Sequence, residues 1–371
     1  MNYRELAFEI WRIWHSKRLS SKAATLFLVS GIAFLKPEWW FGLANTAITY
    51  LLDIQIEPFD ESPIIGSALI ALGLVLVAIN IWENIQTRSK EVIGIRHNSL
   101  GNFPKEAIKP DLPLLQRLRD YREIDVDHCD AYNNGVLTDQ KSILRRMLKT
   151  PIELDSLLRT NTNTPIAYYG LPHIPLAFYM GYLLADNKYQ IQPYELNNEG
   201  RNWKQLKETS PSLEIVTNNS HLTPSIRQGD ILLSIGISYP VHPSEINALN
   251  IPNIIGRVSI DAKKPARQLI TSKSQIEQIC KEFKTVLENI KNTCPNRKRI
   301  HIFYAGPVSL CFALGRCISE RIDSEIVIYN YSVKEEPRYN WSLSINKPEP
   351  ETTTFNVFKN QGDAHDSIQY A

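Results

Sequence analysis

Two short turns carry the residue types best suited to chemistry. Gly306-Pro307-Val308-Ser309 follows the apolar run Ile302-Phe-Tyr-Ala305, and Leu171-Pro172-His173 follows the run Ile166-Ala-Tyr-Tyr169. In each, a proline breaks the run and apolar residues resume at helical spacing, which predicts strand, turn and helix. Such a turn exposes backbone N–H groups at the positive end of a helix dipole, a setting suited to phosphate. Gly306 permits close backbone approach, Pro307 presets the entry to the helix, and Ser309 adds a hydroxyl donor. His173 either donates to a phosphate or a base edge or is satisfied at a helix start. Tyr194 and Tyr329 lie near the ends of the following apolar runs. They are either stacking platforms for bases or core aromatics, and Tyr331 is close by. Lys334, Arg338 and Tyr339 fall in the loop beyond, which either closes over a ligand or is simply solvated.

That chemistry is recognition rather than bond making. The sequence has no Gly-x-Gly-x-x-Gly turn, no phosphate-binding Walker motif and no serine elbow, and His301 has no evident carboxylate or cysteine partner. No catalytic residue is assigned. The five cysteines, Cys129, Cys280, Cys294, Cys311 and Cys317, form no Cys-x-x-Cys pair and stand at no zinc-like spacing from a histidine. No metal or cofactor is expected, and the thiols read as reduced core residues.

The elements that must hold these turns come as a repeat. Ile166 to Gly181 recurs in degenerate form as Ile302 to Gly315, each copy is followed by a second strand-like run (189–196 and 325–331), and Trp203 and Trp341 close the units. Two Rossmann-like halves, with the turns after their first strands facing a shared crevice, account for this pattern. Between the copies, Ile231 to Tyr239 and Ile254 to Ile260 read as strands, and Ser274 to Lys291 as an amphipathic helix. The stretch before the first copy, interrupted by Pro104, Pro110 and Pro113, reads as a connector with lead-in helices. Within it Lys141 to Lys149 is an amphipathic helix whose basic face is solvated. After Ile345 a polar tail is expected.

The amino-terminal part differs in kind. Pro63 to Trp82 is an uncharged apolar run of the length that crosses a bilayer, and Ser20 to Leu35 is a shorter candidate span with Lys22 near its start. Trp39, Trp40 and Phe41 suit a membrane interface, and Phe34-Leu-Lys-Pro37 offers no signal-cleavage site. Arg4, Arg12, Lys17, Arg18 and Lys22 precede the first span and Arg88, Lys90 and Arg96 follow the second. The intervening loop is mostly acidic, so both ends are expected on the cytoplasmic side. Tyr3, Leu6, Ala7, Ile10, Trp11 and Trp14 recur at helical spacing, as an interfacial helix or one packed on a soluble domain. Gly66, Ser67, Ala68, Ala71 and Gly73 permit close helix approach, and Asn80 adds a polar group. Across all 371 residues the formal net charge is +2, which argues against a surface that coats DNA or long RNA.

The duplicated unit, above all Ile302-Phe-Tyr-Ala-Gly-Pro-Val-Ser-Leu-Cys-Phe-Ala-Leu-Gly315 with the Val327-Ile-Tyr329 strand after it, resembles the SAVED domain. The halves of that domain each resemble the CARF sensors of CRISPR systems. With two spans ahead of it, the whole chain resembles the two-transmembrane SAVED effectors of bacterial CBASS antiphage immunity. The resemblance implies two transmembrane α-helices (about 20–35 and 63–82 within a 1–95 membrane region), a connector over 96–160, and an α/β SAVED sensor over 161–345. The sensor's fused halves would divide at about 260/261, ahead of a 346–371 tail. It further implies a ligand, a cyclic di- or trinucleotide made by a partner nucleotidyltransferase. Binding would drive homo-oligomerisation and disruption of the inner membrane, ending in abortive infection. Pro172, His173, Gly306, Pro307, Ser309, Tyr194, Tyr329, Tyr331 and Arg338 are the candidate ligand contacts. Two other readings compete: a membrane-anchored Rossmann-like enzyme, such as a cyclic-oligonucleotide nuclease or nucleotide-dependent transferase, and a membrane adaptor that binds protein.

Overall fold

The computed structural model describes residues 24, 26–28, 30, Pro63–Thr87 and 91–358, apart from 102, 134, 160–163, 187, 198–201, 225, 322 and 346–352. It divides into two units, Met1–Ser89 and Lys90–Ala371. Most of the first expected span, the helical-spacing stretch at 3–14, the Trp39-Trp40-Phe41 cluster, the acidic loop, Arg88 and Lys90, the side chain of Asn80, and tail residues 359–371 lie outside the described residues.

In the first unit the apolar run forms α1 (Pro63–Thr87), on which Ile64, Ile65, Leu72, Leu74, Val75 and Ile79 are exposed. Residues 24, 26–28 and 30 are also helical, and a β-carbon on Gly73 would fall 2.7 Å from Leu28 Cγ, so the small residue admits the neighbouring helix. Among the described residues no helix is long and apolar enough to cross a membrane. The described side chains of α1 run from Pro63 to Ile79, about 26 Å at 1.5 Å per residue.

The second unit is built on two sheets. The first takes β1 (Glu91–Asn98), β2 (Asp120–Asp127), β5 (Ile166–Tyr169), β6 (Ile191–Asn197) and β7 (Asn202–Gln205) in the order β2-β1-β5-β6-β7, and β3 (Tyr132–Asn133) pairs with β4 (Val136–Leu137) in a small ribbon. The second sheet takes β8 (Ile215–His221), β9 (Gly229–Gly236), β10 (Ile254–Ala262), β11 (Arg297–Ala305), β12 (Glu325–Asn330), β13 (Trp341–Ile345) and β14 (Thr354–Val357), ordered β14-β13-β12-β11-β9-β10-β8. Four adjacent strands are parallel in each: β2, β1, β5 and β6 in the first, β10, β9, β11 and β12 in the second. An antiparallel strand follows the last of these in both, β7 in one and β13 in the other.

This topology moves two expected boundaries. Residues 96–160, expected as a connector, supply the end of β1, all of β2 and a long helix of the first half, which begins at Glu91 in the expected membrane region. The strands between 215 and 262, expected in the first half, belong to the second sheet. The tail expectation also gives way at one point, because β14 pairs with β13 and sets Phe355 against Trp341, their rings 5.5 Å apart.

Connecting helices are α2 (Leu114–Arg117), α3 (Gln140–Leu158), α4 (Ile174–Leu183), α5 (Pro243–Asn247), α6 (Lys273–Thr293) and α7 (Val308–Gly315). Asp139 caps α3 by accepting from the Ser142 N–H at 3.0 Å, and Ser272 caps α6 by accepting from that of Gln275. Helix α3 continues through Pro151 because its buried stripe, Ile143, Met147, Thr150, Leu154 and Leu158, continues on the same side.

Alternation along the strands separates the core into layers. Ile93, Ile95, Ile166, Tyr168, Ile300, Ile302, Ile326 and Ile328 point into one central cluster shared with α3, α4, α6 and α7. The intervening residues face outward into two satellites: Val92, Ala167, Tyr169, Tyr194 and Trp203 on the first sheet, Leu232, Phe303, Val327, Tyr329 and Tyr339 on the second. Helix α4 of the first half packs on β12 and β13 of the second, and α7 packs on β6 of the first. The halves therefore exchange helices across the central layer.

Candidate functional site

The expected crevice depends on how α4 and α7 meet. A β-carbon on Gly181 would fall 1.9 Å from the carbonyl oxygen of Phe312, and one on Gly315 would fall 1.9 Å from that of Phe178. The Cys311 thiol donates to the carbonyl of Ile174 at 3.4 Å. Contacts of 174 with 311 and of 178 with 315 advance together along both chains, so the helices run parallel about a pseudo-twofold axis. Their caps, His173 and Pro307, consequently lie at the same end.

The backbone beneath each cap is duplicated as well. The N–H groups of Ser99 and Leu100 both donate to the Leu171 carbonyl, at 3.2 and 2.9 Å. Those of Ile237 and Ser238 both donate to the Ala305 carbonyl, each at 2.9 Å. Connections leave β1 for β2 on one side while β5 lies on the other, which makes the carboxyl ends of β1 and β5 the topological switch point of the first sheet. The carboxyl ends of β9 and β11 are its counterpart in the second.

The two helix starts are not open to phosphate in the way their sequence suggests. The Ser309 N–H donates to Glu195 Oε1 at 2.7 Å, so a carboxylate from the first half occupies the start of α7. Enclosure raises the Glu195 pKa against the pull of the Ser309 hydrogen bonds. Counting from the caps, Pro175 is the counterpart of Ser309 in α4, and it has no N–H to offer. Gly306 and Pro307 remain half-exposed, Pro172 is buried, and the Ser309 side chain is fully buried.

His173 sits between the halves, stacked on Tyr132 at 4.4 Å between ring centroids and 5.7 Å from Trp341. Its N–H donates to Ser99 Oγ at 2.7 Å, and its Nδ1 shares a second hydrogen bond with that oxygen at 2.6 Å. Around it lies a polar cluster at the switch point: His97, Asn98 and Ser99 at the end of β1, His128 after β2, and Tyr132 on β3, with all but Tyr132 buried. His97 and His128 meet edge to face at 5.3 Å, and His97 Nδ1 hydrogen-bonds the Tyr168 hydroxyl at 2.9 Å. His97 Nε2, both side-chain polar atoms of Asn98, both ring nitrogens of His128 and the Tyr132 hydroxyl are buried without a protein partner.

Burial pushes His173 down to about 4, assisted by His128. His128 falls to about 4 through burial and the charge of Arg146, opposed by Asp127 and Asp130. His97 is lowered by burial and by the other two histidines. The cluster is thus a set of neutral imidazoles and an amide that can donate and accept hydrogen bonds without carrying charge.

The remaining candidates separate into core and rim. Tyr194 packs with Tyr169 and Trp203, and burial lifts its pKa to about 12. Tyr329 is stacked on Phe303 at 4.4 Å, and its hydroxyl meets His301 Nδ1 at 2.8 Å. Both faces that base stacking requires are therefore committed to packing. The other ring nitrogen of His301 lies 3.2 Å from Asp230, so the histidine that seemed unpartnered belongs to a buried Asp230-His301-Tyr329 chain, with Arg299 2.9 Å from the same carboxylate. At the carboxyl end of β12, Tyr331 is exposed and donates to Glu245 at 2.9 Å, while Arg338 pairs with Glu336 at 2.9 Å and reaches the Val333 carbonyl. Lys334 is exposed and Tyr339 is buried.

A family model described as "SMODS-associated and fused to various effectors sensor domain" (SAVED) matches residues 153–345. The chain belongs to the SAVED family. The matched segment starts within α3, so β1 and β2 of the first sheet precede it. The solved structures similar to the chain include two Cap4 receptors. One is the Acinetobacter baumannii Cap4 SAVED/CARF-domain receptor with the cyclic trinucleotide 2'3'3'-cAAA: TM-score 0.48, 12% identity, covering 74% of this chain and 54% of that one. The other is the Moraxella osloensis Cap4 receptor: TM-score 0.44, 12% identity, covering 71% and 52%. The SAVED chain spans about half the length of each. A search of curated proteins gives no match.

His97, Asn98, Ser99, His128 and Tyr132 escape a reading that begins at the repeat, because their strands lie upstream of it. The signal present in the sequence is Glu91-Val-Ile-Gly-Ile-Arg-His-Asn98, an apolar run that turns polar at its carboxyl end.

Proposed function

We propose that this SAVED protein is the receptor and effector of a CBASS antiphage system, binding a cyclic di- or trinucleotide across the crevice at the common end of α4 and α7. One observation carries the reading: in a SAVED sensor, two strand-to-helix turns from duplicated halves open at the same end of a parallel helix pair. The first half offers the neutral His97-Asn98-His128-His173 group, and the second half offers Gly306, Pro307, Tyr331 and Arg338. Unpartnered buried donors and acceptors suit base edges, for which a missing hydrogen bond discriminates strongly. The protein acts by recognition and has no catalytic role.

Output, in this proposal, lies in the amino-terminal unit. The helices at about 20–35 and 63–82 span the inner membrane with both ends cytoplasmic, supported by the uncharged run, the exposed apolar side chains of α1 and the close approach at Gly73 and Leu28. Ligand binding drives homo-oligomerisation and opens or disorders the bilayer. The test uses full-length protein in dye-loaded vesicles with a panel of cyclic di- and trinucleotides. Dye release that depends on one ligand, together with a larger species on size exclusion, is expected. Ligand binding without release or assembly would overturn the membrane output.

A further inference from the structure

The carboxylate at the start of α7 is an unusual group for its setting. Glu195 stands toward the carboxyl end of β6, the same end of the parallel strands as the switch point, and reaches into the other half, where its Oε1 accepts from the Ser309 N–H at 2.7 Å. That bond leaves most of the acceptor positions of the carboxylate unused. Enclosed carboxylates elsewhere in the sensor are neutralised by the chain itself: Glu123 lies 3.3 Å from Arg96, and Asp230 lies 2.9 Å from Arg299. Among the described residues no lysine, arginine or histidine pairs with Glu195, and burial lifts its pKa against the Ser309 hydrogen bonds. A carboxylate so enclosed is short of donors, and the residue is half-buried, open enough for a ligand to supply them.

The turn beside it is held in place, because the Tyr304 hydroxyl donates to the Pro307 carbonyl at 2.7 Å. A ligand phosphate brought to this helix start meets like charge, so the group favours the donor edge of a base. Bases differ in that edge. Guanine sets two donors side by side, N1–H and the N2 amino group. Adenine and cytosine set a donor beside an acceptor whose lone pair a carboxylate repels, and uracil sets its one N–H between two carbonyls.

We propose that Glu195 is a specificity-determining residue that selects guanine, accepting from N1–H and the N2 amino group of one guanine base in the cyclic oligonucleotide. The inference rests on the receptor reading above and names a base that the ligand carries.

The test titrates full-length protein calorimetrically with cyclic di- and trinucleotides matched in ring size and linkage, carrying guanine, inosine or adenine at one position. Wild-type protein should bind the guanine member about tenfold or more tighter than the inosine member, which lacks the N2 amino group, and tighter again than the adenine member. Glu195→Gln keeps an acceptor for the Ser309 N–H but removes the charge. In that variant the guanine and inosine members should bind within about threefold of each other, with the adenine member no weaker than in the wild type. A preferred ligand without guanine, a change to inosine that costs the wild type nothing, or a guanine preference that survives Glu195→Gln would overturn the proposal. Equal weakening of all three members in Glu195→Gln would make the residue structural and overturn it as well. No binding of any member to the wild type would strike the receptor reading itself and the proposal with it, whereas binding of guanine-free members alone strikes only the proposal.

Discussion

At the scale of residues, the buried histidines make the clearest physical commitment. Each of His97, His128 and His173 is lowered by burial, so between about pH 4 and the ordinary histidine value of about 6.5 the unfolded chain binds more protons than the folded one. Stability from these groups is therefore complete above about pH 6.5 and is lost as pH falls toward 4. Glu195, raised by enclosure, works in the opposite sense and offsets part of the loss. The urea midpoint of the protein should fall on going from about pH 7 to about pH 5, and His173→Asn should flatten that slope. A midpoint unchanged over this range would contradict the neutral cluster. Of these residues only His173 was legible in the sequence, since it stands at a proline-marked helix start. His97 and His128 are separated by 31 positions of chain and come together only through the parallel pairing of β1 with β2. Asp230 and His301 escape in the same way, being neighbours only across β9 and β11.

Elements tell a different story about what sequence can carry. The strand-turn-helix-strand echo was readable because a repeat shows itself without any knowledge of contacts, and its helices and following strands stand where the pattern set them. Register was not readable. Trp203 pairs with Leu196, whereas Trp341 pairs with Asn330, the counterpart of Glu195 one position earlier. That single-residue offset sends Trp203 to the outer satellite and Trp341 to the central core, so the two tryptophans that look equivalent serve opposite faces of their sheets. The glycine pair, by contrast, is a feature whose meaning only packing supplies. Gly181→Val or Gly315→Val drives a side chain into the facing helix backbone, and the cost should exceed the usual 1–3 kcal/mol of overpacking by separating the helices. Thermal unfolding should show a large loss for either variant. Gly135→Ala, whose β-carbon meets nothing within 4 Å but whose φ is +84°, gives a strain-only comparison. Equal small effects at all three positions would contradict a glycine-dependent helix crossing.

For the whole molecule, the sequence separated an apolar amino-terminal part from an α/β sensor, and the chain does divide at Ser89/Lys90. What it misplaced was the start of the first half, because β1 and β2 carry no echo strong enough to read and the prolines between them suggest a linker. The restored strands matter to function, since they bring the histidine cluster to the rim of the crevice and make the two halves unlike at their ligand-facing ends. One half presents neutral imidazoles and an amide; in the other, the start of α7 is already held by Glu195. Such a crevice should favour a ligand that engages bases on one side more than phosphates at both helix starts. The most direct measurement is calorimetric titration of the full-length protein with a panel of cyclic di- and trinucleotides and their linear counterparts. Saturable binding of one cyclic member, weakened by His173→Ala and by Tyr331→Ala and absent for its linear form, is predicted. No binding across the panel, or equal binding of cyclic and linear forms, would contradict a receptor built from two facing halves.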